Sequence, residues 1–314
     1  MTSHTKTLSD PSRRIDDEMQ AMMDQYLPGR KPISPDNYDW DKIRPETLDE
    51  DFLEALAMVT LVESNPKDPA QKLLDAADRS EAPWLRRFIT QTWLPEEGMH
   101  AAPFREYLIR SGAYDQVNID FEIDKVVARG FVHGEGYSEV KAATYGWMQE
   151  LITWRFYDSM RTYLLTRAKE GIPLDPVMSQ ILADIARQEN FHRHIYLSGV
   201  RTILKHQPQR KKEVIEAVTE FVMPGHHMAP ELQAKAPAWS VKFGFQLRPL
   251  MKDLISGIVE FAGHNGLGQA SIQYGAKNAI QWYFKPIVFL LAPAAKPYRS
   301  PINYLAGRFI SKIL

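Results

Sequence analysis

The chain has 314 residues, of which 44% are hydrophobic and 25% charged, and its formal net charge is −1. These values are typical of an ordinary soluble globular protein, and no segment approaches the roughly 18 consecutive apolar residues of a membrane-spanning helix. The sequence contains no cysteine, which excludes disulfides, iron–sulfur clusters, thiolate zinc sites and cysteine nucleophiles. Any bound metal must therefore be held by nitrogen and oxygen atoms.

Residues 1–46 are predicted to form an N-terminal extension that packs loosely or wraps around the remainder, with a short helix over 16–26. The polar start of the sequence lacks the apolar stretch of a signal peptide, so we expect a cytoplasmic protein. Thr47 and Glu50 have the spacing of a capping box. This box predicts that the first long helix begins near Leu48.

Four long helical patterns follow, and each has a polar side chain on an otherwise apolar stripe. The first ends near Glu63, which occupies a position where an apolar residue is expected. The second spans 84–110 and places Glu97 and His100 between aromatic neighbours. Because helix ends are often hydrated, Glu63 taken alone is better explained as a glutamate that faces solvent than as a ligand.

The third and fourth patterns repeat this arrangement. The third, over 138–169, has Glu150 among aromatic residues, and the fourth, over 176–206, has Glu189 and His192. Residues three apart lie on one face of a helix, so each Glu-x-x-His can offer a carboxylate and an imidazole to the same metal ion. We therefore predict an all-α protein, a ferritin-like four-helix bundle with additional flanking helices.

Carboxylates buried alone would destabilise such a bundle, whereas four carboxylates and two imidazoles around two divalent cations neutralise one another. This ligand set is that of ferritin-like di-iron and di-manganese proteins, and its carboxylate-rich character favours two iron ions, with manganese possible. The predicted ligands are Glu63, Glu97, His100, Glu150, Glu189 and His192. Glu97 and Glu189 would bridge the two metals. The alternative is that the glutamates are solvated and the histidines are satisfied within the core.

From about 46 to 228 the sequence resembles the soluble acyl-carrier-protein desaturases, the ferritin-like fatty acid desaturases of plastids and actinobacteria. The resemblance is carried by Val62-Glu63-Ser64-Asn65, Trp93-x-x-Glu96-Glu97-x-x-His100, Gln149-Glu150 with Thr153, Gln188-Glu189-x-x-His192 and Met223-Pro224-Gly225-His226-His227-Met228. The separations of 34, 53 and 39 residues between the successive ligand glutamates fit this family better than ferritins or rubrerythrins.

The resemblance implies a di-iron site that is reduced by a ferredoxin-type donor and activates dioxygen. In that family one hydrogen is removed from each of two adjacent methylenes of an acyl chain, which is held in an apolar tunnel as a thioester of acyl carrier protein; acyl-CoA is an alternative carrier here. By position, the six ligands carry over, Thr153 supplies a hydroxyl near the oxygen-binding face, and Trp93 lies beside the ligands. The resemblance also implies a homodimer.

Three positions depart from the family pattern. Gln188 stands where many members have an aspartate that orients a ligand histidine, and it can accept a hydrogen bond but brings no charge. Pro95 and Pro103 should break or kink the second helix on either side of its tetrad. The reaction could therefore be that of another di-iron oxygenase, a hydroxylase or an N-oxygenase, or the chain could be a non-enzymatic protein that handles iron or peroxide. A ribonucleotide reductase subunit is disfavoured, because Phe104 occupies the usual place of the radical tyrosine.

The helical di-iron domain is predicted to span 47–284, followed by an apolar, basic C-terminal tail over 285–314. Further helices are predicted over 214–221, 241–261 and 269–284, with a loop over 224–230. After Glu260 the sequence has six basic residues and no acidic one. The tail could contact a membrane surface, a carrier protein or a second subunit, and basic clusters at 161–169 and 205–212 could dock acyl carrier protein. No nucleic acid partner is expected.

Overall fold

A computed structural model of the chain describes residues 10–28, 30, 32–274, 301, 304–306 and 308. All regular structure in these residues is helical, which confirms the predicted all-α class. None of their helices combines the length and apolar character needed to cross a membrane. Most of the predicted tail over 285–314, and the predicted helix over 269–284 beyond 274, lie outside the described residues.

Thirteen α-helices are described, together with one π-helical turn, Ile89–Trp93, and four short 3₁₀ turns. In chain order the α-helices are α1 (Asp10–Tyr26), α2 (Glu50–Glu63), α3 (Lys67–Arg79), α4 (Pro83–Phe88), α5 (Leu94–Arg110), α6 (Gln116–Arg129), α7 (Glu139–Lys169), α8 (Pro176–His206), α9 (Lys211–Glu220), α10 (Gly225–Met228), α11 (Pro230–Gln233), α12 (Ala236–Lys242) and α13 (Leu247–Tyr274). The four-helix bundle consists of α2, α5, α7 and α8, with α7 packed along α8 and α2 packed along α5.

The starts of the bundle helices follow from their capping residues. Asp175 caps α8 by accepting a hydrogen bond from the Met178 amide at 2.7 Å, so the predicted start of this helix is confirmed. The predicted capping box at the start of α2 is wrong. Asp49 is the cap, accepting from the Phe52 amide at 3.1 Å, and the Thr47 hydroxyl instead donates to the Arg44 carbonyl.

The two prolines of the second bundle helix have different effects. Pro95 lies in the first turn of α5, immediately after the π turn Ile89–Trp93. A proline has no amide hydrogen to give to the carbonyl four residues earlier, and a π turn is where that bonding pattern is interrupted. The helix α5 continues through Pro103, so the predicted break is absent there.

The N-terminal extension wraps the bundle through α1, which is longer than predicted. Ile15, Met19 and Met23 recur every four residues, are buried, and pack the helix against α8 and α4. Asp16 also accepts a hydrogen bond from Arg87 of α4 at 2.7 Å. Within the described residues, the extension is therefore part of the packed structure.

The region after α9 differs most from prediction. The predicted loop over 224–230 contains α10 and the start of α11, and Met228 is buried. The predicted helix over 241–261 is divided between α12 and α13. Gly263 interrupts α13 with a φ of 69°, a left-handed conformation that glycine adopts readily.

Candidate metal centre

The six predicted ligands converge inside the bundle. Two overlapping groups, in each of which the ligand atoms lie within 4.8 Å of one another, are formed by Glu63, Glu97, His100 and Glu189, and by Glu97, Glu150, Glu189 and His192. Glu97 and Glu189 belong to both groups, as expected of two carboxylates between a pair of metal ions. Among the described residues, neither of these two groups includes His226 or His227.

The two imidazole rings present the same nitrogen to the cluster. His100 Nδ1 lies 3.2 Å from Glu189 Oε1 and 3.4 Å from Glu97 Oε2. His192 Nδ1 lies 3.0 Å from Glu97 Oε1 and 3.8 Å from Glu150 Oε2. Both rings are fully buried, and their centroids are 6.1 Å apart. Nδ1 is therefore the nitrogen that each histidine could give to a metal.

Six buried polar atoms of this cluster make no hydrogen bond of normal geometry. They are Glu97 Oε1, His100 Nδ1, Glu150 Oε2, Glu189 Oε1 and Oε2, and His192 Nδ1. Leaving a buried polar atom without a partner costs about 1–3 kcal/mol, and more for a charged group. Two divalent cations would provide partners for all six atoms, and carboxylate and imidazole donors suit iron or manganese. The residues present therefore fit a dinuclear metal site.

The pKa shifts within the cluster also fit a metal site. Burial raises the pKa of Glu189 well above its ordinary value, and the negative charges of Glu97 and Glu150 add to this effect. Burial opposes ionisation of Glu97, but the positive charge of His100 and contacts with both histidines hold the pKa of Glu97 below its ordinary range. Burial also opposes protonation of His192, yet its glutamate neighbours raise its pKa to about 10. Protons and divalent cations thus compete for the same atoms.

Two further side chains orient the glutamates that belong to only one group. Trp93 Nε1 donates a hydrogen bond to Glu150 Oε1 at 2.7 Å, which places Trp93 beside the ligands as expected. The Tyr157 hydroxyl donates to Glu63 Oε1. Tyr157 was not predicted as a site residue, although it follows Glu150 by seven residues and so lies on the same face of α7, two turns further along.

The outward-facing nitrogens of the two histidines are held by the residues that precede the tetrad glutamates. His100 Nε2 lies 2.9 Å from Gln188 Oε1, so Gln188 accepts a hydrogen bond from this ring, as expected. His192 Nε2 lies 2.8 Å from Glu96 Oε2. Each tetrad helix therefore supports the histidine of the other one. The role of Glu96 was missed in the sequence, although the matching positions of Glu96 and Gln188 could have indicated it.

Glu96 is in turn bound by Arg30, from the segment that follows α1. Arg30 Nε donates to Glu96 Oε1 at 2.7 Å, and the same guanidinium also donates to Glu96 Oε2. Although burial opposes it, hydrogen bonds from His192 and Arg30 hold the pKa of Glu96 below its ordinary value. The support for His192 is thus charged, whereas that for His100 is a neutral amide.

A cavity of about 220 Å³ adjoins the cluster. Glu63, Glu97 and Thr153 lie in its wall. Much of the remaining wall is apolar and includes Met58, Val62, Ile152, Phe156, Phe245 and Leu250. The Thr153 hydroxyl donates to the Gln149 carbonyl at 3.1 Å, and Thr153 shares the cavity wall with the two glutamates. The arrangement suits an apolar substrate that reacts next to a metal centre.

The sequence of this chain is similar to those of known fatty acid desaturases. The model of the fatty acid desaturase family matches residues 65–240. The chain is 24% identical over 243 residues to the Mycobacterium tuberculosis protein named acyl-carrier-protein desaturase DesA1. This match covers 69% of this chain and 67% of that protein. It is 26% identical over 156 residues to the chloroplastic stearoyl-acyl-carrier-protein 9-desaturase 6 of Arabidopsis thaliana, with 49% of this chain and 38% of that protein covered.

Among solved structures, the fold is similar to that of the M. tuberculosis protein named acyl-carrier-protein desaturase DesA2. The TM-score is 0.55 at 18% sequence identity, and the match covers 83% of this chain and 99% of that one. At this identity the likeness shows the shared all-α fold, which agrees with the predicted ferritin-like bundle. Since the family match spans more than half of the sequence, this chain belongs to the fatty acid desaturase family.

Proposed function

We propose that this protein is an O₂-dependent di-iron desaturase that introduces a double bond into a fatty acyl chain carried as a thioester on acyl carrier protein. The observation that carries the proposal is the position of the Glu/His cluster at the wall of an apolar cavity. A carboxylate-rich dinuclear site beside a largely apolar cavity suits oxidation of an unreactive hydrocarbon. The names of the relatives support acyl carrier protein as the carrier.

Each side chain has a defined part in this proposal. Glu63 and His100 would hold one iron, and Glu150 and His192 the other. When bound, the two irons would supply the activation of dioxygen. Manganese is the alternative metal for the same ligands.

The surrounding residues keep the site in position. The hydrogen bonds from Tyr157 and Trp93 each restrain one of the glutamates that does not bridge. The apolar wall would bind the acyl chain and exclude water. Thr153, one turn after Glu150 on α7, would supply a hydroxyl in the cavity wall near the oxygen-binding face.

The proposed reaction needs electrons and protons beyond those that the acyl chain supplies. Removing one hydrogen atom from each of two adjacent methylenes yields two electrons and two protons. Reduction of O₂ to two waters consumes four electrons and four protons. The other two electrons would come from a ferredoxin-type donor and the other two protons from solvent.

Several cations of the two predicted basic docking clusters form ion pairs with acidic residues of the same chain. Arg167 lies 3.3 Å from Asp49, and Lys205 lies 2.9 Å from Glu18. Arg210 pairs with Glu139 at 2.7 Å. These three cations therefore already have acidic partners within the chain. Docking of an acidic carrier protein would then depend on exposed lysines of the same clusters, such as those at 169 and 212.

The test is reconstitution of the full chain with Fe(II), followed by reaction with acyl-acyl carrier protein, O₂ and a reduced ferredoxin system. We expect two irons per chain and an O₂-dependent product that is two hydrogens lighter, measured by mass spectrometry of the released fatty acid. A hydroxylated product would instead identify a hydroxylase. Bound iron without any acyl oxidation, across chains of different length, would refute the proposal and favour an iron- or peroxide-handling protein.

A further inference from the structure

Arg30 reaches the back of the candidate metal centre from outside the four-helix bundle. Its guanidinium donates to both carboxylate oxygens of Glu96, and one of these oxygens is the atom that lies 2.8 Å from His192 Nε2. The side chains of Arg30 and Glu96 are only 18% and 15% exposed. Arg30 therefore restrains both oxygens of the carboxylate that orients His192.

A second contact of Arg30 involves the residue next to His192. The guanidinium carbon lies 3.6 Å from the ring centroid of Phe191, which immediately precedes His192 on α8. A guanidinium can stack on an aromatic ring and bind a carboxylate through two parallel hydrogen bonds at once, which an ammonium group cannot do. Arg30 thus acts on His192 in two ways, through Glu96 of α5 and through its contact with the preceding residue of α8.

The other half of the cluster has a different kind of support. His100 Nε2 meets the amide oxygen of Gln188, a neutral group on α8 within the bundle itself. The His192 half instead depends on a charged pair whose cation belongs to the N-terminal segment. A perturbation at Arg30 should therefore affect the two metal positions unequally.

We propose that Arg30 is a positioning residue for His192, and that docking of the N-terminal segment around Arg30 is coupled to metal binding at the His192 half of the cluster. The proposal rests on the dinuclear site proposed above. When Nδ1 of His192 binds a metal, Nε2 is the nitrogen whose hydrogen bond orients the ring. Glu96 makes this hydrogen bond, and Arg30 in turn binds the carboxylate of Glu96. Such a coupling is reciprocal, so metal bound at His192 must also stabilise the docked segment.

The first experiment titrates the full-length, metal-free protein with Co(II), followed by visible absorption and calorimetry. Groups that orient metal ligands typically contribute about 10- to 100-fold in metal affinity. In Arg30→Gln we expect one of the two binding steps to weaken by this factor and the other to remain unchanged. Arg30→Lys keeps the charge but cannot stack on Phe191 and bind Glu96 through two parallel hydrogen bonds at once, so it should recover only part of the loss.

Arg87→Gln is the matched control. Arg87 of α4 also binds the N-terminal region, through Asp16 at 2.7 Å, and these two side chains are 29% and 16% exposed. The control should leave both Co(II) binding steps unchanged. Equal weakening of the two steps in Arg30→Gln, or no weakening of either, would overturn the role of Arg30 while leaving the dinuclear site intact. A wild-type chain that does not bind two Co(II) ions would overturn the site itself.

The second experiment measures hydrogen exchange in peptides that contain Arg30, with and without Co(II). In the wild type, we expect metal binding to slow exchange in these peptides, and in Arg30→Gln we expect this slowing to be lost. A purely structural role would change exchange equally with and without metal. If Co(II) left exchange of the wild-type peptides unaltered, the proposed coupling would be wrong.

Discussion

Removal of the Tyr157 hydroxyl should weaken the half of the metal centre that contains Glu63 and His100. Tyr157 is fully buried, its hydroxyl donates to Glu63 Oε1, and its ring packs against Phe104 at a centroid distance of 5.6 Å. Tyr157→Phe keeps the ring and deletes only the donor. A hydrogen bond to a charged group contributes about 1.5–3 kcal/mol, and about 1.4 kcal/mol corresponds to a tenfold change in affinity. We therefore expect about 10- to 100-fold weaker binding of one metal ion.

Co(II) titration of the metal-free protein measures this effect, with urea unfolding as the check on the fold. Tyr163→Phe is the matched control, because Tyr163 is on the same helix and donates to Asp49 at 2.6 Å, away from the cluster. The control should leave both Co(II) affinities unchanged. If Tyr157→Phe bound both ions as tightly as the wild type, the hydrogen bond to Glu63 would have no part in holding the metal.

Three further outcomes are expected. Glu97→Ala removes a carboxylate that belongs to both ligand groups, so metal loading and activity should be lost together; retention of two metals per chain with full turnover would exclude this residue as a ligand. Gly199→Ala places a Cβ 2.5 Å from the Trp84 ring and should lower the free energy of unfolding by about 1–3 kcal/mol in a urea titration. Gly98 is an exposed residue of a helix, and a Cβ added there meets no atom within 4 Å, so Gly98→Ala should raise the free energy of unfolding by up to about 1 kcal/mol. Leu250→Trp, which enlarges a side chain in the cavity wall far along the chain from the ligands, should raise KM for the acyl substrate while iron content is unchanged; an unaltered KM would place the acyl chain elsewhere.

The bundle and its six clustered residues could be predicted because both leave a local signal. A polar residue on an apolar helical stripe is costly, so its repeated appearance on four helices indicates a shared purpose for these side chains. The tetrads that contain Glu97 and Glu189 place a carboxylate and an imidazole on one helical face without any information from the rest of the chain. Helix boundaries were predicted well where a strong cap was present, as at Asp175.

Errors arose where two local signals competed or where a short helix depends on its neighbours. Thr47 and Glu50 satisfied the capping-box pattern, but Asp49 took the capping position. The short helix α10 carries no convincing periodic signal in four residues, and it forms where Met228 can be buried. Isolated helices of this length are unstable, so tertiary contacts decide whether they form.

By itself, the sequence determined the helical class, the four bundle helices and the residues that meet between them, because helical periodicity and burial cost are local properties. Only the tertiary structure decided what holds those residues in place. The partners of His100 and His192 lie 88 and 96 positions away in the sequence, and Arg30 lies 66 positions from Glu96. Contacts across such separations depend on the relative placement of whole helices, which no spacing along a single chain segment encodes.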